Sequence, residues 1–223
     1  MIITSELIKK NVVCPKCRQQ TETGLLCSIN TESEKDALKK VLDDEFFKWE
    51  CDKCGFQTML LHPLLYSDIK NKFMVYYIPN VERSRISDEK LEQEFKELSD
   101  IRKRLVPDIN ALKEKIMLFG KGFDDASVEL AKLAVSEVVG KSTGQTVYEG
   151  YCTEIDKSSN VVSFQFFIGG KKRPYMQTTR FDVYKRSFDI VREYFPDLNE
   201  QGGFLNIDRS WAKEALRKYK DSE

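Results

Sequence analysis

The alternation of apolar and polar positions predicts strands at the start of the chain, helices in its middle and a mixture at its end. Residues 6–13 (ELIKKNVV) read as a short strand, and residues 21–29 (TETGLLCSI) as the strand returning beside it. Ser33 with Asp36 three residues on resembles a capping box, and Ala37, Leu38, Val41 and Leu42 form an apolar helical stripe. Phe46, Phe47 and Trp49 then read as a bulky strand. FQTMLLHPLLY (56–66) is a strand broken at Pro63, SDIKNK is a polar turn, and FMVYYIP (73–79) is a second strand. In that last strand Phe73, Val75 and Tyr77 share one face and Met74, Tyr76 and Ile78 the other. A strand apolar on both faces is expected to be covered on both.

The middle of the chain reads as helical. Ser87 can cap a helix with the stripe Leu91, Phe95, Leu98, Ile101 and Leu105, ended by Pro107. A second helix is expected from Asn110 to Gly120, and a third from Asp124 to Gly140. KSTGQ (141–145) is the expected linker. Beyond it, TVYEGYCTEI and NVVSFQFFI flank the turn signal DKSSN and predict a β-hairpin. Thr179 with Asp182 can cap a helix with the stripe Phe181, Tyr184, Phe188, Val191 and Phe195, stopped by Pro196, and a last helix begins at Asp208.

Four cysteines change the picture: Cys14 and Cys17 in CPKC, Cys51 and Cys54 in CDKCG. Two C-x-x-C pairs point to a four-thiolate metal site, each pair gripping one edge of a tetrahedron, with sulfur about 2.3 Å from zinc. Gly55 follows the second pair, where the reversal tends to need a left-handed backbone. Arg18 holds the matching place after the first pair, a departure that a more open turn would accommodate. Lys16, Arg18 and Lys53 are placed to screen the thiolates, or to add to a binding face at the knuckle tips. Trp49 and its neighbours are expected to cover one side of the site. Iron in a rubredoxin-like site is the main rival, since four thiolates accept it as well. Disulfide chemistry would need an oxidising compartment, and MIITSELIKK has no long apolar core of a secretory leader. A thioredoxin-like redox pair would need one C-x-x-C after a strand in a βαβ unit. Cys27 and Cys152, among apolar residues, are expected to be buried free thiols.

Composition adds few further constraints. In 223 residues, 36 Lys plus Arg balance 36 Asp plus Glu, so no global field draws the protein to nucleic acid or membrane. A cytoplasmic protein is expected. The basic concentration singled out is 171–186: Lys171, Lys172, Arg173, Arg180, Lys185 and Arg186, with Tyr175 and Tyr184 nearby. It can serve single-stranded nucleic acid, with cations on phosphates and rings on bases, or can be a solvated hairpin edge. Catalytic signals are weak. The one histidine, His62, lies in an apolar run and reads as a packed, hydrogen-bonded residue, and Asp124–Asp125 reads as a helix cap. Asp43–Asp44–Glu45 reads as a solvated acidic run. Gly140-Lys141-Ser142 lacks the first glycine and the preceding strand of a phosphate loop. Around Gly120–Phe123, a DNA-reading helix pair would present Asp125 and Glu129 to phosphates.

CPKC followed by CDKCGFQTMLLHPLLYSDIKNKFMVYYIP resembles the CpXC-domain family over residues 8–80, with a looser likeness through KEKIMLFGKGFDDASVELAKL (113–133). The resemblance implies metal binding by Cys14, Cys17, Cys51 and Cys54, with zinc the metal, and implies no activity. The expected fold is α+β: residues 1–80 as an N-terminal zinc ribbon with a helical insertion, 81–140 as a helical section packing on it, and 145–223 as a β-hairpin plus helices. The expected role is a structural-zinc interaction module recruiting a protein or nucleic-acid partner, without catalysis. Its alternatives are a single-stranded nucleic-acid binder using 171–186 and an iron electron carrier.

Overall fold

The computed structural model describes residues 5–79, 100–170, 174–200 and 203–221. It is a mixed α and β protein whose chain divides into two compact units, residues 1–113 and 114–223. Most of the helix predicted from Ser87 lies outside the described residues.

The first unit is built on a five-stranded sheet of order β1-β2-β5-β6-β7. Strands β1 (Glu6–Val13) and β2 (Gln20–Asn30) pair antiparallel. Strand β2 pairs in parallel with β5 (Leu64–Asp68), which makes an antiparallel hairpin with β6 (Phe73–Tyr77). Both faces of β5 and β6 are covered, and Tyr66, Phe73, Met74, Val75 and Tyr77 are each at most 2% exposed. A separate two-stranded sheet pairs β3 (Lys48–Glu50) with β4 (Gln57–Met59).

Three local expectations are corrected here. Residues 102–106, placed at the end of a helix, form strand β7 (Arg102–Val106), parallel to β6. The ladder with β6 takes up the backbone bonds that a helix would have used. Ser33 does not cap helix α1 (Ala37–Leu42): Asp36 holds the cap position, and the Ser33 hydroxyl donates to the Asn30 carbonyl. Of the α1 stripe, Ala37 and Val41 are buried, whereas Leu38 and Leu42 are largely exposed. Phe46 and Phe47 lie in a 3-10 turn (Glu45–Phe47) before β3. Phe47 is buried there, edge-on to Tyr77 and tilted against His62.

Helix α2 (Ile109–Gly120) runs across the division between the units. In the second unit, α3 (Asp125–Thr143) starts at Asp124, whose carboxylate accepts from the Ser127 backbone N–H at 2.8 Å. It runs through Gly140 and ends at Gly144, which takes the left-handed conformation at φ 64°. Most of the linker expected at 141–145 is therefore helical. Val139 is fully buried one residue before Gly140, and the hydroxyls of Ser142 and Thr143 bond back to its carbonyl, so hydrogen bonds span the glycine and the helix continues to Gly144.

The hairpin forms as predicted, from β8 (Val147–Asp156) and β9 (Val161–Ile168). A third strand, β10 (Tyr175–Arg180), extends it on the β9 side. Thr179 pairs with Val162 in that ladder, so it cannot cap the next helix, and α4 (Asp182–Tyr194) has Phe181 at its cap position. Helix α5 (Arg209–Lys220) is capped by Asp208, which accepts from the N–H groups of Ser210 and Trp211. One apolar cluster (Ala126, Leu130, Leu133, Val191, Leu198, Ile207, Ala212 and Ala215) joins α3, α4 and α5.

Beside this cluster lies a sealed ionic network. Lys132 reaches both carboxylate oxygens of Glu114 at 2.9 Å and Glu129 at 2.8 Å. Lys115 reaches Asp125 at 2.9 Å and the Ile207 carbonyl at 2.8 Å. Glu114 also accepts the backbone N–H of Cys152. Each of these five side chains is at most 9% exposed. Burial pushes the Glu114 carboxyl up. Both lysines are held above their ordinary range, because the facing carboxylates outweigh the burial that opposes them.

Candidate metal centre

The two C-x-x-C pairs sit on the turns of two hairpins, β1–β2 and β3–β4. Both turns use the same hydrogen bonds. Cys14 N–H donates to the Gln19 carbonyl at 3.0 Å, and Arg18 N–H to the Cys14 carbonyl at 2.9 Å. In the second turn Cys51 N–H donates to the Phe56 carbonyl at 2.9 Å, and Gly55 N–H to the Cys51 carbonyl at 2.8 Å. The backbone agrees: Gly55 has φ 66° and Arg18 has φ 60°. The more open turn allowed for at Arg18 does not occur. The first knuckle is as tight as the second, and Arg18 carries the steric cost of a left-handed residue with a Cβ.

The four sulfurs converge, all lying within 4.8 Å of one another. The short contacts run between the knuckles: Cys14 to Cys54 and Cys17 to Cys51, both 3.7 Å. A tetrahedron with bonds of about 2.3 Å to its centre has edges of roughly 3.8 Å, so this donor set fits one divalent ion with soft ligands. Cys14 and Cys51 are buried and Cys17 and Cys54 half-buried. Trp49 packs with Cys14 and Cys51, with Val12, Phe56 and Leu60 around them, and its indole N–H donates to the Thr23 hydroxyl at 2.8 Å. That bond ties the second hairpin to β2 of the first. Trp49 thus covers the site as expected, while Phe47 serves the core under β6 instead.

The thiols are electrostatically unequal. Burial pushes the Cys14 thiol up, but the backbone N–H groups of Cys17 and Lys16 and the neighbouring sulfurs bring it down to about 7. At Cys54 the Phe56 N–H pulls downward, and burial with the other three sulfurs outweighs it, pushing the thiol up to about 12. Four sulfurs this close cannot all ionise without a cation among them. Lys16, Arg18 and Lys53 are exposed around the site. Outside it, Cys152 is buried and pushed up to about 12, chiefly by that burial, whereas Cys27 is only half-buried.

The remaining candidates are placed elsewhere. His62 is 6% exposed, its Nδ1 at 3.0 Å from the Pro63 carbonyl and its Nε2 at 3.4 Å from the Phe46 carbonyl, a packed and hydrogen-bonded position. Asp44, read as solvated, pairs with Lys113 at 2.8 Å. Of the basic segment, Lys171, Lys172 and Arg173 lie outside the described residues. Arg180 ends β10, and Lys185 and Arg186 are exposed on α4. Lys185 is engaged by Asp182 at 3.1 Å and sits 5.8 Å from the centre of the Phe181 ring.

Sequence reasoning missed a second basic concentration. Helix α5 carries Arg209, Lys213, Arg217, Lys218 and Lys220 against the single carboxylate Glu214. The signal was present in the four-residue recurrence of cations after Asp208, hidden by attention to the apolar positions between them.

No helix among the described residues is long and apolar enough to cross a membrane. No curated protein and no solved structure matches the chain. Residues 12–132, more than half of the chain, match the family model described as CpXC protein, a span that includes both knuckles, strands β2 to β7 and the start of α3. With the four cysteines gathered as that pattern implies, the chain belongs to the CpXC family.

Proposed function

We propose that this is a cytoplasmic interaction module whose N-terminal hairpins are fixed by one structural zinc ion, and that it recruits a protein or nucleic-acid partner without turning over a substrate. The observation that carries the reading is the convergence of Cys14, Cys17, Cys51 and Cys54 from two hairpins. Four protein thiolates close a tetrahedral site and leave no position for substrate, so the ion would hold structure. Thiolates kept for an ion rather than joined as disulfides suit a reducing compartment.

Elemental analysis of protein purified without added metal tests this. One zinc per chain in a colourless protein is the expected result, with Cys51→Ser removing it. Iron with visible absorption would replace the reading by the electron-carrier one. A serine variant that melts like the parent would end it. Because thiols must lose protons to bind the ion, affinity should rise with pH and acid should release the metal. For the nucleic-acid option, Arg180 and Arg186 are exposed, without an ion pair among the described residues, and salt-dependent binding of single-stranded DNA lost on their removal would support it.

A further inference from the structure

A groove of about 340 Å³ runs between α3 and α5. Its floor is apolar: Leu133 belongs to the core cluster of the second unit, and Leu216 packs against that cluster from the rim. Along one side stand Arg209, Lys213, Arg217 and Lys220, recurring at helical spacing over roughly 16 Å of helix. Glu137 of α3 and Asp221 are the carboxylates that face the same groove. Among the described residues no carboxylate lies within ion-pair distance of Lys213, Arg217 or Lys220. Arg209 donates to the carbonyls of Val147 and Tyr148, yet its buried Nε has no hydrogen-bond partner among the described residues.

We infer that this groove is the docking site for an acidic amphipathic helix of a protein partner. The inference rests on the recruiting half of the proposed function and is independent of its metal half. Leucines on the floor call for apolar anchors, and the row of cations along one side calls for carboxylates flanking those anchors. A single nucleic-acid strand would need aromatic platforms for its bases, and this groove offers only leucines. A duplex would need a protruding element to enter its own groove, whereas this surface is concave. The partner helix lies along the α3–α5 groove with its leucine-type side chains on Leu133 and Leu216. Its Asp and Glu side chains then face Lys213, Arg217 and Lys220.

The test uses full-length, metal-loaded protein and a fluorescent peptide of about four helical turns. The peptide carries leucines on one face and glutamates flanking them. Saturable binding is expected, weakened about tenfold or more by Lys213→Glu with Arg217→Glu, both exposed side chains. The double variant should keep its circular dichroism and its metal content. Poly-glutamate should bind far more weakly, for want of the apolar stripe. The inference is overturned by absent binding, by binding indifferent to the double variant, by poly-glutamate binding as tightly, or by a single-stranded DNA oligonucleotide displacing the peptide at lower concentration. The metal content of the same samples reports separately on the zinc reading.

Discussion

The hairpins around the cysteines and the helices of the second unit hold together by opposite chemistry. Around the cysteines only Cys14, Trp49 and Cys51 form a buried cluster, and β3 and β4 are three residues each. A ribbon of two three-residue strands with so little apolar area does not persist by burial alone. In the second unit the core is broad enough to seal Glu114, Lys115, Asp125, Glu129 and Lys132 away from water. There the surrounding protein supplies the counter-charges. At the knuckles an ion held by the four cysteines would supply them, so that region is expected to depend on metal and the other is not.

Chelation should separate the two regions most sharply. A structural site of this kind contributes on the order of 10 kcal/mol in zinc-finger peptides. Removing the metal should therefore abolish amide protection in β3, β4 and the two knuckle turns while β8 to β10 keep theirs, as read by hydrogen exchange. Equal loss in both regions would break the comparison. The next largest effect is expected in the charged core. Lys132→Met leaves Glu114 and Glu129 buried without their shared ammonium, which should cost about 3–5 kcal/mol in urea denaturation and leave metal content unchanged.

A smaller effect is expected at a close contact inside the second unit. A Cβ added at Gly150 would collide with Cδ1 of Phe166, a buried ring opposite it on β9. Gly150→Ala should cost about 1–3 kcal/mol, measured as a lowered melting temperature, since the ring must leave its place. A neutral result would mean that this sheet packs more loosely than the core it faces.

What the sequence disclosed divides along physical lines. The metal cluster was readable because two spacings and one glycine suffice to specify it. The β8–β9 hairpin was readable because its turn and its alternation agree. Strand β7 was not: Arg102, Lys103 and Arg104 look like the solvent face of a helix, yet Lys103 and Arg104 are at most 5% exposed in the sheet. Burial pulls the Lys103 ammonium below its ordinary range. Nothing local announces that cations will be buried, because the decision comes from tertiary partners. Strand β10 was hidden for the converse reason: YMQTTR is too polar to announce a strand, and β9 supplies its ladder. Gly140 misled because a glycine costs a helix only about 1 kcal/mol, and the left-handed residue that ends this one is the next glycine, Gly144.

The smallest expected effect lies within the metal region and concerns its two turns. They share their hydrogen bonds and their left-handed residue, but Gly55 occupies that position in one and Arg18 in the other. A Cβ there costs roughly 1–2 kcal/mol, against which glycine frees the unfolded chain by about 0.4–1 kcal/mol. Arg18→Gly should therefore stabilise the metal-bound protein by about 0.5–1 kcal/mol, read as a rise in melting temperature at fixed metal. Gly55→Ala should destabilise it by about as much, because there the same two contributions oppose each other with their signs reversed. If Arg18→Gly instead weakens metal retention, the arginine's charge beside the thiolates outweighs the strain of its backbone. Arg18→Ala decides between the two: it keeps the Cβ and removes the guanidinium, so it should leave stability unchanged if strain is the whole cost and lower it if charge matters.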